Sequence, residues 1–315
     1  MRRRPQSRLR MLAAACVLVL ASGCAVNPVT GQREIVLLSA EQEAELGRKT
    51  AEQFKEQLGL VEDPRMLGYV EALGDRLARH SPRQDVRYRF QIADMGAPNA
   101  FALPGGYVYV SRGALILANS EAELAGVIGH EIAHVAARHS VQQQTRSVGV
   151  GLLTLLGTVA AAAAGGEQAA ETVGQLGQVA GAGLIATYGR DQERQADEVG
   201  QRLAADAGYD PAGIAGFLEA LGRDAKRASG GKSRQPSFFD SHPMTDERIA
   251  STIARAKTLR VADQPPLTVG REAFLRRFEG LLVGEDPAGG VFRDNRFLHP
   301  DLRFRFDLPD GWAQI

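Results

Sequence analysis

The strongest constraint on how this chain can fold is a run of five residues, His130-Glu131-Ile132-Ala133-His134, set in a stretch that is otherwise apolar. Ser120-Glu121-Ala122-Glu123 opens that stretch with a capping-box pattern, and Leu124, Val127, Ile128, Ile132 and Val135 carry a helix on through Arg138. At roughly 100° per residue the two histidines lie about 40° apart on one face, one turn from each other. So apolar a helix belongs in the interior, where two imidazoles and a carboxylate are costly unless something satisfies them. A metal ion does: both imidazoles reach one ion, and Glu131 stands beside them to take a proton from an attacking water. The five residues alone also occur in unrelated helices, so the reading depends on a further ligand from elsewhere in the chain.

A later helix carries Glu193-Arg194-Gln195-Ala196-Asp197, whose two carboxylates face one way. Glu193 completes a His₂Glu ligand set with a fourth position for water, and Asp197 accepts the N–H of a liganding histidine from behind. Taken alone, the same two residues read as a solvated charged face, since Asp191, Arg194 and Glu198 are close by. His139 falls about 140° around the first helix from His134 and is expected to point elsewhere. His80 and His299 have no partner pattern and read as surface residues.

Four blocks occur in order: Asn99-Ala100-Phe101-Ala102-Leu103-Pro104-Gly105-Gly106, Gly129 to His134, Glu193 to Asp197, and Ser241-His242-Pro243 with Arg248. On these blocks the chain resembles the HtpX-like and CAAX-prenyl-protease-like family of zinc metallopeptidases, in its periplasmic lipoprotein branch, over roughly Asn27 to Ala256. No ligand position departs from the family pattern. The resemblance implies an α+β, mostly helical, gluzincin-like metallopeptidase domain with a small sheet beside the H-E-x-x-H helix. It implies one Zn²⁺ per chain, peptide-bond hydrolysis, and unfolded or misassembled envelope polypeptides as substrates.

In the resembling family the Asn99, Ala100, Phe101 block forms an edge strand beside the metal, where an extended peptide pairs through its backbone; Pro104-Gly105-Gly106 also fits an ordinary hairpin turn. His242 precedes Pro243, which disfavours helix and suits a loop that swings toward the metal. There it would stabilise the oxyanion or act as a displaceable fourth ligand that keeps the enzyme latent; the bland reading is a surface histidine capping a Thr245 to Ala256 helix. Arg248 would tie that loop to Asp197 or meet the substrate carbonyl, or be a helix-surface arginine. A reading from a different class is a lipoprotein chaperone or assembly factor whose zinc is mainly structural.

Residues 1–24 read as an address. Arginines from Arg2 to Arg10 precede an apolar stretch, Met11 to Ala21, that is short for a bilayer span and fits a secretory signal. Leu20-Ala21-Ser22-Gly23-Cys24 resembles the lipobox of bacterial lipoproteins, so Cys24 is expected to be acylated and to anchor the body on the periplasmic side of a membrane. Ala25 after the cysteine points to the outer membrane; the alternative is an uncleaved anchor helix. Cys16 and Cys24 are the only cysteines, so the body holds no disulfide. Thirty-seven basic and thirty-seven acidic residues cancel, which leaves no bulk drive toward nucleic acid.

Within the expected domain of 27–260, helices are predicted from Ser39 toward Leu58, from Pro64 to Ala78 and from Gly213 to Arg223, with strands at Arg87 to Ile92 and Gly106 to Val110. Residues 148–188 read as an apolar helical hairpin or lid beside the cleft, because His134 and Glu193 must stay in one compartment. Residues 266–315 form a β-containing extension. In it Leu302, Phe304, Phe306 and Leu308 alternate as a strand with one buried face, docked on the main domain or part of a small extra one.

Overall fold

The computed structural model describes residues 24–147, 188–228, 238–243, 245–262, 267, 269–284, 290–293, 295–300 and 302–309. The expected signal segment before Cys24, residues 148–187 of the expected apolar hairpin and the loop at 230–233 lie outside the described residues.

Strand β1 (Cys24–Val26) pairs antiparallel with β2 (Arg33–Ile35), and the Asn27 side chain closes the turn by accepting from the Val29 amide at 2.8 Å. Helix α1 (Ala40–Leu58) starts at a full capping box, with Ser39 accepting from the Gln42 amide and Gln42 reaching back to Ser39. Helix α2 (Pro64–Ala78) starts at Asp63, with Pro64 in the first turn where its missing N–H costs nothing. Of the apolar positions whose spacing predicts it, Met66, Val70, Leu73 and Leu77 are buried and Leu67 is half-buried.

A three-stranded sheet follows: β3 (Arg89–Ala93), β4 (Ala100–Leu103) and β5 (Tyr107–Ser111), with β5 in the centre, parallel to β3 and antiparallel to β4. The two-residue period of β4 divides its side chains between two cores. Ala100 and Ala102 join the main one, while Phe101 and Leu103 join Phe54 and Tyr109 under α1. The turn Pro104–Gly106 needs left-handed backbone, φ 74° at Gly105 and 94° at Gly106, which glycine supplies without strain.

Helix α3 (Arg112–Leu117), which no periodicity announces, leads into α4 (Glu121–Ala136), the helix of the histidine motif. Every residue of α4 from Leu124 to Ala136 is buried. Helices α5 (Arg190–Asp206) and α6 (Gly213–Ala228) cross it closely because glycine stands at the contacts. A Cβ at Gly200 would lie 2.7 Å from the His130 amide nitrogen, and one at Gly126 2.5 Å from that of Ile214. The short α7 (Phe238–Ser241) and α8 (Asp246–Ala256) complete the surroundings of the site.

The beginning of the extension docks on the main body. Phe274 of α9 (Arg271–Leu275) and Phe278 just after it bury their rings edge-on against Tyr69 of α2. Beyond it, β6 (Val291–Arg293), β7 (Arg296–His299) and β8 (Phe304–Asp307) form an antiparallel sheet. The expected buried face of β8 is absent: Phe304 and Phe306 are 44% and 45% exposed. They meet mainly the rings of their own sheet, with Phe297 and Phe306 centroids 4.9 Å apart, and one layer of rings cannot exclude water. Among the described residues no helix is long and apolar enough to cross a membrane.

Candidate metal centre

Helix α4 places the His130 and His134 Nε2 atoms 3.0 Å apart. Helix α5 brings Glu193 to the same point, with Oε1 3.4 Å from His134 Nε2 and Oε2 3.6 Å from His130 Nε2. The solvated-face reading of Glu193 and Asp197 fails, since both are buried. They lie on the stripe with Ala196, Gly200 and Ala204, whose small side chains let α5 press onto α4. His242, just after α7, is 0% exposed, so it is not a surface cap either. Its Nδ1 lies 2.9 Å from Glu193 Oε1 and 3.2 Å from His130 Nε2, and its Nε2 is 3.4 Å from Glu131 Oε1. Phe238 stacks on the His242 ring at 4.2 Å, and the Tyr188 amide donates to the Ser241 carbonyl at 3.0 Å.

Asp197 faces the far side of His130, Oδ1 to Nδ1 at 3.0 Å. Arg248 grips Asp197 with Nε and Nη2, both at 2.8 Å, and its Nη1 donates to the Pro243 carbonyl and lies 2.6 Å from Glu193 Oε2. Of the roles expected for Arg248, this geometry is that of a tie between the His242 segment and Asp197; its donors face protein groups and not an open cleft.

His139 departs from expectation. Helix α4 stops at Ala136, before Arg138, and Arg138 adopts φ 58°, so the count of 100° per residue no longer applies. The chain turns back and buries His139, with Nδ1 2.9 Å from His134 Nδ1 and Nε2 2.7 Å from Gln195 Oε1. Left-handed backbone at an arginine has no sequence mark, so nothing in the residues announced it. Tyr188 was also missed: its buried ring stacks on His134 at 3.8 Å between centroids, and its hydroxyl pairs with Ser140 Oγ at 2.8 Å. His80 is exposed and His299 half-buried beside Phe304, away from this cluster.

Asn99 just precedes β4, and Ala100 and Phe101 lie on it, at an edge of the sheet. All are buried, however, and the Phe101 ring packs between Phe54 and Tyr109 at 5.0 and 4.9 Å. Its side chain belongs to the core, which leaves only backbone for a peptide. The Phe238 amide donates to the Pro98 carbonyl at 3.1 Å, just ahead of the strand.

The electrostatics follow from burial. Burial pushes the Glu131 carboxyl up and holds His134 well below its ordinary range. His139 is pushed down to about 4, again by burial. For His130 burial is outweighed by the Asp197 and Glu193 carboxylates beside it, which lift it to about 9. For Glu193 burial is outweighed by the histidines facing it, which keep it ionised.

The donor set fits one zinc ion. As neutral rings, with the Nδ1 proton of His130 toward Asp197 and that of His134 toward His139, both would turn Nε2 lone pairs to the Glu193 carboxylate, 3.6 and 3.4 Å away. Such facing acceptors are satisfied by a cation between them. Ligand atoms of His130, His134, Glu193 and His242 all lie within 4.8 Å of one another. Both Glu131 oxygens and His242 Nε2 are buried without a hydrogen-bond partner, an expensive state that a metal site with its reacting water relieves.

The pattern of peptidase family M48 matches residues 64–256, a span that takes in His130, Glu131, His134, Glu193, Asp197, His242 and Arg248. The chain belongs to this family. It is 30% identical over 282 residues to the beta-barrel assembly-enhancing protease of Escherichia coli (strain K12), covering 88% of this chain and 53% of that protein. It is 30% identical over 182 residues to the mitochondrial metalloendopeptidase OMA1 of Schizosaccharomyces pombe, covering 58% of this chain and 50% of that one. With the metalloprotease LoiP of Escherichia coli (strain K12) it shares 34% identity over 183 residues, 57% of this chain and 66% of that one. This M48 chain thus spans about half the length of the first of these relatives.

Proposed function

We propose that the chain is a zinc metalloendopeptidase of the bacterial cell envelope that cleaves misfolded or misassembled envelope polypeptides. His130, His134 and Glu193 hold the zinc, and Glu131 is the general base. The observation that carries this reading is Glu131: a carboxylate buried with both oxygens unpartnered, one residue from a ligand, has no use in a purely structural site. When bound, zinc polarises the scissile carbonyl and lowers the pKa of the attacking water toward ~7. Glu131 takes the proton from that water and delivers it to the departing amide nitrogen. Asp197, clamped by Arg248, holds the His130 ring, and the backbone of β4 aligns the peptide with little regard for its side chains.

In this reading His242 is a displaceable fourth ligand. Its Nδ1 faces the other donors and its Nε2 faces Glu131, so it stands where water and substrate must enter. That geometry favours latency over the oxyanion role. The lipobox at Cys24 and the similarity to the beta-barrel assembly-enhancing protease support a lipid anchor on the periplasmic face of the outer membrane. The catalytic domain is taken as 27–260, with 266–315 an extension.

One observation favours the chaperone or assembly-factor reading: four protein donors in a closed site are typical of structural zinc. Zinc content and casein cleavage of the chain from Cys24 onward, beside three variants, separate the two. Glu131→Gln is expected to keep zinc and lose cleavage by at least ~10²-fold. Glu193→Ala is expected to lose zinc, and His242→Ala to keep it and cleave faster than the parent. Full zinc with no cleavage by either the parent or His242→Ala would establish the chaperone reading instead.

A further inference from the structure

Resting on the metal-site reading above, we infer that His139 is a positioning residue that fixes which nitrogen of His134 carries the proton, with Gln195 anchoring the outer end of the chain. His134 faces the other ligands through Nε2, which lies 3.0 Å from His130 Nε2 and 3.4 Å from Glu193 Oε1. To coordinate there, Nε2 must present a lone pair, so the ring proton sits on Nδ1. That proton points at His139 Nδ1, 2.9 Å away, which must accept it. His139 then carries its own proton on Nε2, and Gln195 Oε1 accepts it at 2.7 Å. The reverse order would put a proton on His134 Nε2, aimed into the cluster of acceptors, and exclude the ion.

The arrangement is built and not incidental. His139 is reached only because Arg138 takes φ 58°, and Arg138 is held there by Nε to Glu43 Oε2 at 3.0 Å and Nη2 to the Leu38 carbonyl at 3.1 Å. The His134 and His139 rings meet at 71°, an angle that lines up in-plane nitrogens better than stacking would. The two liganding histidines are thus oriented by different chemistry. His130 leans on the Asp197 carboxylate and His134 on a neutral imidazole. The site already buries the carboxyls of Glu131, Glu193 and Asp197, with Arg248 paired to the last two, so a neutral acceptor orients the second histidine without adding another charge.

The test is the rate at which the zinc-loaded full chain surrenders zinc to a chromogenic chelator, for the parent, His139→Leu, His139→Asn and Gln195→Leu. Leucine fills the volume of the imidazole but accepts no proton, whereas the asparagine oxygen accepts one. If His139 positions His134, His139→Leu releases zinc roughly 10–100-fold faster, and His139→Asn stays much nearer the parent. If His139 only fills space, leucine holds zinc as the parent does and the inference is overturned. Gln195 is only half-buried, so Gln195→Leu decides the matter should the His139 variants not fold. Faster release supports the inference, and an unchanged rate sinks it. A parent that binds no zinc refutes the site reading itself; a zinc-loaded parent matched by His139→Leu refutes only this inference.

Discussion

Glu43 shows how much one residue can be asked to hold. From α1 it accepts Arg83 Nη1 at 2.7 Å and Nη2 at 2.9 Å, and Arg138 Nε at 3.0 Å, with Glu43 and Arg83 both buried. Arg83 also donates to the Val135 carbonyl at 3.2 Å, so this ion cluster closes the carbonyl end of the histidine helix. Glu43→Gln leaves the buried Arg83 guanidinium with only the exposed Asp85, 3.5 Å from its Nε, as counter-charge, at an expected cost of about 3–5 kcal/mol in a urea unfolding curve. Replacing Glu43 and Arg83 together by Leu and Met should recover much of that loss, because the desolvation penalty leaves with the charges. A single variant as stable as the parent would mean that water replaces the ion pair. In the sequence Glu43 reads as an ordinary first-turn acid complementing a helix dipole. Its burial depends on Arg83, forty residues away, and no local pattern announces that.

Among the elements, the crossing of α4 and α5 decides whether a site exists. Glu193 reaches the histidines only because Gly129 and Gly200 let the two backbones approach; a Cβ at Gly129 would lie 2.9 Å from the Gly200 carbonyl oxygen. Gly200→Ala is therefore expected to destabilise by about 1–3 kcal/mol and to weaken zinc binding as well, since the backbone it pushes on is that of His130. Gly68, exposed in the middle of α2 with nothing within 4 Å of an added Cβ, provides the contrast. Gly68→Ala should stabilise by about 0.5–1 kcal/mol and leave zinc untouched. Thermal melts with and without zinc distinguish the two. Equal effects from both substitutions would show that the crossing has room to spare.

At the scale of the whole molecule, the proposed zinc donors come from three separate stretches, α4, α5 and the turn after α7, so the ion would cross-link parts that sequence keeps apart. Chelation should lower the melting temperature, and added zinc should restore it. The stabilisation is about 2.7 kcal/mol when free zinc is a hundredfold above its Kd and about 4.1 kcal/mol at a thousandfold. A melting temperature indifferent to chelator would count against ligands that join those stretches. The extension divides on the same physical ground. Phe274 and Phe278 find Tyr69 to pack against and are buried, while Phe304 and Phe306 have mainly their own sheet and stay half exposed.

What sequence alone determined was local. The spacing of His130 and His134, the capping at Ser39 and Ser120, the apolar faces of α2 and α4, and the pairing of Glu193 with Asp197 all follow from the turn of a helix. These readings need no knowledge of neighbours. The burial of Glu193 and Asp197, the return of His139 to His134, the stacking of Tyr188 and the tie from Arg248 to Asp197 were decided by tertiary structure. Each depends on a backbone departure or a helix crossing that brings distant residues together, and a side chain's surroundings are not written in its own sequence neighbours. The same holds for Phe101, whose alternation in β4 is legible but whose assignment to the core depends on where α1 lies.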